Sequence, residues 1–438
     1  MRTSAGRPSR HPFQSLRRTQ SAPVTSQSST SHSNPLLRSR RFRVYPTAQQ
    51  RSLLRQWMGV CRWTYNQAAE PFNKRTVPAN LSALQKAFVN NDNYGDDQQW
   101  VKDVPASLRL AAVADVVKAL TAYRAKQQQN QTGFHLKYRA VRDPVQSITV
   151  SKYNWNHHRS DSKYSSVFST AALRGGRHYR ELLRDGLPHD SRLLRDRQRR
   201  WFLCVPFDQP CLPPPPPSVH PSSQRVAAID PGVRTFLTTY DLQGEVHEWG
   251  KGDMQRLYRL AVHVDTLQSK ASKAKHRQRH RIRKAIARVH RRIHNLVDDV
   301  HRKACAWLCK SYDHIILPQF NSSEMVKRAT RRIRSKTVRS MLHWSHYRFR
   351  QRLLCKAEST ADVRVRLVTE EWTSKTCGMC GNLHHRLGGS KHFRCPSCGW
   401  TCDRDVNGAR NIMLKTITST HLPAPIATSL YMGGVLVA

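Results

Sequence analysis

The spacing of apolar residues along the chain predicts several helices. A first helix is indicated by apolar residues at steps of three and four, namely Leu53, Leu54, Trp57, Val60, Cys61 and Tyr65. Similar spacing predicts a second helix over 106–128. A long helix is predicted in the stretch that follows Gly244, from the stepping of Ile282, Ile286, Val289, Ile293, Leu296, Val297, Val300 and Ala304. A basic helical region reaches about residue 357, and a final helix follows the last cysteines.

Short apolar or alternating runs between these helices predict strands. They cover Phe42–Pro46, Ser147–Val150, Trp201–Val205, Val226–Ile229, Thr235–Tyr240, His314–Pro318 and Val363–Thr369. The region 155–200 is polar and basic without a clear period, so no element is predicted there. Strands that alternate with helices indicate a mixed α/β fold.

Polar segments divide the chain. Residues 1–40 are rich in Ser, Thr, Arg, Pro and Gln and are predicted to be a disordered basic tail, suited to nuclear import or phosphate contact, with a transit peptide as the alternative. The run Pro213–Pro217 forms a stiff connector, so 213–222 is predicted to be a linker. An N-terminal lobe of strands and helices then covers 41–212, and 419–438 are predicted to be a loose tail.

Net charge points to a polyanionic partner. The 438 residues include 74 Lys and Arg against 29 Asp and Glu, a formal charge of +45. Between Asp265 and Asp298 there are eleven Lys and Arg and no acid, a pattern that favours contact with a phosphate backbone over a merely solvated face. No apolar run is long enough for a membrane helix, so nucleic acid is expected before an anionic membrane surface.

Four of the 11 cysteines form two C-x-x-C pairs separated by 14 residues. Two such pairs predict one structural Zn²⁺ in a four-thiolate tetrahedral site, whereas a redox dithiol would explain only one pair. The predicted ligands are Cys377, Cys380, Cys395 and Cys398. Cys402 lies outside both pairs and is interpreted as a buried thiol.

Two aspartates stand at notable positions in a chain where acids are scarce. Asp230 follows a buried strand, although Asp-Pro-Gly by itself is most often only a turn. Asp405 follows the cysteine module at the start of a helix, where a lone acid is most simply a favourable helix charge.

Residues 226–230 and 403–412, with the cysteine module between them, resemble the first and third RuvC motifs of the TnpB family of transposon-encoded, RNA-guided nucleases. The resemblance runs from about 41 to 415 and includes Val44–Thr47, Trp57 and Thr373–Cys377. It implies an RNase H-like (RuvC) nuclease core over 223–376, an inserted zinc ribbon over 377–402, and a last RuvC motif and helix over 403–418. The lobe before it would hold a wedge-like β-barrel and a helical recognition part.

One departure from TnpB concerns the second carboxylate. TnpB proteins carry a Glu where this chain has Pro318, which cannot bind a metal. The eukaryotic and viral Fanzor branch is more similar, through Leu317–Phe320, Met325-Val326, Trp344–Arg350 and a Glu two residues before an aromatic-Thr-Ser. That Glu is Glu370; strand alternation would send Glu371 to the opposite face, and Glu324 is the weaker alternative.

The resemblance implies that Asp230, Glu370 and Asp405 hold two Mg²⁺ ions and hydrolyse DNA, with Asp230 shared between the ions. The implied partners are a guide RNA, one per protein, and target double-stranded DNA, with no membrane. The expected location is the nucleus, with a viral or organellar setting as alternatives. A strand-transferring transposase and a catalytically decayed nucleic-acid-binding protein remain as other functions.

Overall fold

The computed structural model describes residues 36–74, 81–128, 135–155, 173–175, 181, 187–209, 225–329, 331 and 333–418. They form two compact units. We call the described residues of 33–211 with 274–287 the N-terminal unit, and those of 212–273 with 288–438 the C-terminal unit. The predicted linker and C-terminal tail, and residues 1–35 of the predicted N-terminal tail, lie outside the described residues.

An antiparallel sheet organises the N-terminal unit. Its strands are β1 (Leu36–Val44), β2 (Val145–Val150), β3 (Ser191–Asp196) and β4 (Trp201–Gln209), in the order β1-β4-β3-β2. Closure of this sheet into a barrel stays a prediction. Strand β3 lies where no element was predicted, because Leu193 and Leu194 are its only apolar residues and its pairing with β2 and β4 decides its structure.

Helices of the N-terminal unit cover the apolar core. They are α1 (Ala48–Asn73), α2 (Leu81–Phe88), α3 (Gln99–Lys102) and α4 (Ala106–Gln128). The predicted bounds of α4 are confirmed. Thr47 and Gln50 form a capping box that starts α1. The predicted apolar face of α1 is confirmed as buried at Leu54, Trp57, Val60, Cys61 and Tyr65, with Leu53 partly buried.

A five-stranded mixed sheet forms the centre of the C-terminal unit. Its strands are β5 (Val226–Pro231), β6 (Leu237–Asp241), β7 (Val246–Trp249), β8 (His314–Pro318) and β9 (Arg364–Val368), in the order β7-β6-β5-β8-β9. Strand β6 runs antiparallel to both of its neighbours, β7 and β5, while β5, β8 and β9 run parallel. Strand β5 is central, which explains its unbroken run of buried apolar residues.

Six helices of the C-terminal unit accompany this sheet, one of them shared with the other unit. They are α5 (Asp253–Lys273), α6 (His276–Ser311), α7 (Ser322–Met325), α8 (Ser335–Trp344), α9 (His346–Glu358) and α10 (Arg404–Thr418). The long helix predicted from the stepping of Ile282 to Ala304 is confirmed as α6, and α5 is a separate helix before it. No Gly or Pro marks the break between them, so spacing alone does not reveal it. Within the described residues no helix has the length and apolarity to cross a bilayer.

Phe236 organises an aromatic cluster beside the sheet. Its ring centre lies 4.7 Å from that of His301, 4.8 Å from Trp344 and 5.1 Å from Phe349, so the residue just before β6 packs against α6, α8 and α9. The backbone approaches this cluster closely at Gly250, where an added methyl would lie 2.8 Å from a ring carbon of Trp344.

Alanine substitutions at Gly250 and Gly252 test the tightness of this packing. Both glycines have positive φ, +70° and +82°, so either alanine strains the backbone by about 1–2 kcal/mol. Only Gly250→Ala also meets a neighbour, which adds roughly 1–3 kcal/mol of overpacking, because nothing lies within 4 Å at Gly252. Urea unfolding should therefore show the larger loss for Gly250→Ala, and equal losses would contradict this packing.

Candidate metal centres

Four cysteine sulfurs converge between the strand pair β10 (His392–Arg394) and β11 (Thr401–Asp403) and the loop before it. They belong to Cys377, Cys380, Cys395 and Cys398 and all lie within 4.8 Å of one another. Sγ of Cys377 lies 3.8 Å from that of Cys398, and Sγ of Cys380 lies 3.6 Å from that of Cys395. A Zn–S bond of about 2.3 Å gives a tetrahedron with edges of about 3.8 Å, so the donor set fits zinc.

Backbone geometry favours the thiolate at one of these cysteines. The N–H of Cys398 donates to Sγ of Cys395 at 3.5 Å, and this bond is the largest of several that lower the pKa of Cys395 to about 6, whereas burial raises the pKa of Cys377. Positive φ at Gly381 and Gly399 closes each knuckle turn after its second cysteine. A sulfur held as thiolate is the form that binds metal.

The structure brings the three predicted carboxylates together from distant parts of the sequence. Asp230 is the fifth residue of β5, Glu370 follows the end of β9 by two residues, and Asp405 is the second residue of α10. Helix α10 packs on β5, and a methyl added at Gly408 would lie 2.6 Å from Oδ2 of Asp230. The helix backbone therefore comes very close to the Asp230 carboxylate.

Electrostatic repulsion links these acids. Burial, then the charges of Asp405 and Glu370, raise the pKa of Asp230 to about 8. Burial, then the charge of Asp403, raises the pKa of Asp405, and burial raises the pKa of Glu370. Asp230 therefore lies close enough to Asp405 and Glu370 for the charges of both to act on it.

The carboxylates are spread more widely than the thiols. Among the described residues, the four cysteines are the only group of three or more His, Cys, Asp or Glu side chains whose ligand atoms all lie within 4.8 Å of one another. The ligand atoms of the three acids are therefore not all within 4.8 Å of one another.

The two alternative glutamates occupy different surroundings. Glu324 is exposed on α7 and pairs with Lys327 at 2.6 Å. Glu371 is exposed in a turn, while Glu370 is partly buried. The predicted reason for preferring Glu370, strand alternation, is wrong because β9 ends at Val368 before both residues. Glu370 is distinguished instead by its charge, which acts on Asp230.

Sequence reasoning missed three polar residues that position this site. Oδ1 of Asp403 accepts from the N–H of Asp405 at 2.8 Å, and its carboxylate lies 3.2 Å from Nζ of Lys391. Asn407 and Asn411 are buried on α10. Their spacing of four residues, which places them on one helix face, is the signal that could have found them.

These two asparagines attach α10 to the loop before the first cysteine pair. Nδ2 of each donates to the carbonyl of Thr376, at 2.8 Å from Asn407 and 2.7 Å from Asn411. Oδ1 of Asn407 also accepts from the N–H of Gly378 at 2.9 Å. The cysteine module and the helix that carries Asp405 therefore form one hydrogen-bonded assembly.

A pair of cysteine variants tests the zinc assignment. Cys380→Ser should reduce bound zinc from one ion per chain to none and lower the Tm, because a structural zinc contributes directly to folding. Cys402→Ser is the matched control, since Cys402 is partly buried beside Phe393 but outside the four-sulfur group. Elemental analysis should find one zinc in the control; zinc retained by Cys380→Ser would refute the ligand set.

Asp230→Asn tests the repulsion among the acids in metal-free protein. Folding raises the pKa of Asp230 from 3.8 to about 8. Between these pH values the carboxyl group is ionised in the unfolded chain but protonated in the folded protein, so the folded protein loses stability as the pH rises. Asn cannot ionise, so the Tm of the variant should exceed that of the wild type by roughly 3 °C or more near pH 8 and by little near pH 4. Thermal unfolding in EDTA measures this; Asp362→Asn, at an exposed acid, is the control. A gain independent of pH would contradict the prediction.

Three family models match successive parts of the chain. The model described as "Helix-turn-helix domain" of OrfB_IS605 matches residues 34–70, and the OrfB_IS605 model "Probable transposase" matches 208–347. The model "Cas12f1-like, TNB domain" matches 346–412, which includes the four cysteines and Asp405. The described residues of the first match, 36–70, include β1 and most of α1.

Curated relatives match across most of the chain. A protein described as "Putative transposase" from Paramecium bursaria Chlorella virus 1 is 27% identical over 88% of this chain and 88% of its own length. A "TnpB-like protein" of Acanthamoeba polyphaga mimivirus is 23% identical over 86% of this chain and 72% of its own. "Putative RNA-guided DNA endonuclease InsQ" of Escherichia coli is 25% identical, over 85% and 90% respectively.

One solved structure that the chain matches is described as "Cryo-EM structure of the Cas12f1-sgRNA-target DNA complex". It has a TM-score of 0.49 and 13% identity, and covers 86% of this chain and 99% of that chain. The family models and the full-length relatives agree with each other along the sequence. Along most of its length this chain is therefore similar to TnpB/IS605 transposase-family proteins.

Proposed function

We propose that this protein is an RNA-guided, Mg²⁺-dependent DNA endonuclease whose site is formed by Asp230, Glu370 and Asp405. One observation carries the proposal: three acids from distant parts of a chain with net charge +45 meet at one place. Pairs of carboxylates with strongly raised pKa values are typical of functional sites, since a purely structural role would favour neutralising partners. The positive surroundings suit a nucleic-acid substrate.

Sheet topology supports an RNase H-like (RuvC) core. Three antiparallel strands followed by two parallel ones, with α10 packed on the central strand, bring the carboxyl ends of β5, β8 and β9 to one edge. Ligands of open α/β sheets bind at this edge. Asp230 and Glu370 both lie there.

Strand register explains how Glu370 can serve as the second carboxylate. Ala228 pairs with Ile316 in β8, so the continued register places Pro318 beside Asp230. Pro318 in turn pairs with Val368 of β9, and the chain continues past this edge to Glu370. The next strand therefore supplies the oxygen ligand that proline cannot provide.

The chemistry of the acidic site fits magnesium. Carboxylate oxygens are the ligands that Mg²⁺ prefers, and bound cations would relieve the repulsion that raises the pKa of Asp230. Two ions would supply positive charge to the attacking and departing oxygens of a phosphodiester. The charges of both other acids act on Asp230, so Asp230 would be the ligand that the two ions share. Glu370 and Asp405 would each bind one of the ions.

The remaining residues have supporting roles. Asp403 orients the start of α10, and Arg234, Lys391 and Arg404 lower the pKa of Asp405 against the effects of burial and of Asp403. The zinc ribbon would be architectural, because four thiolates leave a tetrahedral ion no open position. The hydrogen bond from Gly378 of the ribbon to Asn407, and those from Asn411 to the carbonyls of Thr373 and Thr376 just before it, would hold Asp405 in place.

RNA guidance rests on the relatives. InsQ is described as an RNA-guided DNA endonuclease, and a Cas12f1 endodeoxyribonuclease from Sulfoacidibacillus thermotolerans is 34% identical over 19% of this chain. We extend this to one guide RNA per protein, target double-stranded DNA, membership of the Fanzor branch and a nuclear location. Part of α6 offers an exposed basic surface for phosphate at Arg277, Arg279, Arg281, Arg283 and Lys284.

Strand transfer is the second candidate, and the family description "Probable transposase" favours it. It would use the same acids but leave joined DNA products instead of free ends. A decayed protein that binds nucleic acid without cutting is the third, motivated by Pro318 at the expected position of a metal ligand.

A neighbouring pair of glutamates gives the sharpest test of the nuclease proposal. The full chain purified with its RNA should cut matching DNA in Mg²⁺ and not in EDTA. Glu370→Gln should slow cutting by at least about 100-fold, because loss of a metal ligand costs more than the 10–100-fold typical of its supporting groups. Glu371→Gln, one residue away and exposed, should cut like the wild type.

The reaction products separate the other candidates. Full activity of Glu370→Gln, or loss of activity in Glu371→Gln, would refute the assignment of the second carboxylate. Joined products on sequencing gels would favour strand transfer. RNA-dependent DNA binding with no cleavage in any divalent ion would favour the decayed protein.

A further inference from the structure

A tight turn between β9 and the first cysteine pair places Trp372 in solvent. The residue is 59% exposed, and its backbone φ is 67°, in the left-handed region. A bulky residue adopts this conformation only with strain, and Gly or Asn would ordinarily occupy it. The chain therefore keeps a large aromatic side chain at the surface where its backbone disfavours one.

Hydrogen bonds fix this turn. The carbonyl of Trp372 accepts from the N–H of Lys375 at 2.9 Å and from that of Thr376 at 3.0 Å. The hydroxyl of Thr373 donates to the carbonyl of Glu370 at 2.9 Å. The exposed indole and the proposed metal ligand Glu370 are thus two residues apart in a closed turn.

The turn is also anchored to the opposite side of the acidic site. Thr373 is buried, and its carbonyl accepts from Nδ2 of Asn411 at 2.8 Å. Asn411 lies on α10, the helix that carries Asp405. Trp372 is therefore held in position relative to two of the three acids, which is the condition for a preorganised contact.

Two lysines lie at this turn. Nζ of Lys375 is 5.5 Å from the indole ring centre of Trp372. Nζ of Lys415 donates to Oγ1 of Thr369 at 3.2 Å and to the carbonyl of Glu371 at 3.3 Å, both uncharged acceptors. Within the described part of the chain, neither ammonium forms an ion pair with a carboxylate, so both charges are available to an anion.

We propose that Trp372, Lys375 and Lys415 form a stacking site for one unpaired base of single-stranded DNA beside the acidic site, with the lysines contacting its flanking phosphates. This deepens the proposed nuclease function and rests on it for the identity of the strand. Bases within a duplex stack on one another, so an indole needs an unpaired base. Stacking is tolerant of sequence, as a guided nuclease requires, and it would position the strand for cleavage next to Glu370.

The test measures binding without cleavage. The full chain in EDTA is mixed with short single-stranded dT oligonucleotides that carry one 2-aminopurine, whose fluorescence is quenched when it stacks. The wild type and Trp372→Phe should quench it, whereas Trp372→Ala should lose the quenching and bind about 5- to 100-fold more weakly. Tyr347→Ala is the matched control, because Tyr347 is 62% exposed and also lies beside a cation, Arg350.

An oligonucleotide with an abasic residue in place of the 2-aminopurine separates a loss of stacking from a folding defect of the variant. It should weaken binding to the wild type as much as Trp372→Ala does, and add no further loss in that variant. Lys375→Ala and Lys415→Ala should each reduce the slope of log affinity against log salt by about 0.7–1. Trp372→Ala should leave this slope unchanged, since an indole neutralises no phosphate.

Three results would overturn the stacking site. The first is quenching of 2-aminopurine that persists in Trp372→Ala. The second is a loss of affinity from the abasic residue that is as large in Trp372→Ala as in the wild type. The third is quenching when 2-aminopurine is placed in single-stranded RNA but not when it is placed in single-stranded DNA. Cleavage in Mg²⁺ is scored separately. Absent cleavage with quenching intact would count against the nuclease proposal while leaving the stacking contact established.

Discussion

Repulsion among three partly buried carboxylates is the constraint on which the C-terminal unit depends. Burial and the charges of Asp405 and Glu370 raise the pKa of Asp230 to about 8, so the fold keeps acids together against their mutual repulsion. Helix α10 tightens this arrangement, because its backbone at Gly408 closely approaches the Asp230 carboxylate. A structure that tolerates such a cost has the property that a cation site needs, since divalent ions would relieve it.

The cysteine module gives this arrangement its rigidity. It lies in the sequence between Glu370 and Asp405, so the distance between these two acids depends on how the module closes. Four thiolates around one zinc would fix its shape, and Asn407 and Asn411 attach that shape to α10. A structural zinc in the four-cysteine site would thus help to fix the positions of the acids proposed to bind magnesium. Buried polar side chains that connect the two sites would serve this purpose.

Charge is distributed unevenly between this site and the rest of the protein. With 29 acids against 74 basic residues, a cluster of acids is an exception in a positive field that attracts polyanions. Trp372 and its two lysines add a contact of a different kind beside the same acids. The positive charge of the protein would attract a nucleic-acid strand, and Trp372 would then stack on one of its bases. The acids beside Trp372 would hold the metal ions that act on the same strand.

The sequence by itself determined features that depend on near neighbours: the cysteine pairs, the bounds of α4 and β8, and the aspartates at the ends of β5 and the start of α10. Tertiary structure alone decided the rest. Strand β3 exists because β2 and β4 pair with it, and α5 ends without a breaking residue. Glu370 and Glu371 are chemically identical neighbours, and only the turn after β9 places one of them against Asp230. Local periodicity reports the few residues around a position, whereas pairing, burial and electrostatic contact depend on residues far along the chain, which only the fold brings together.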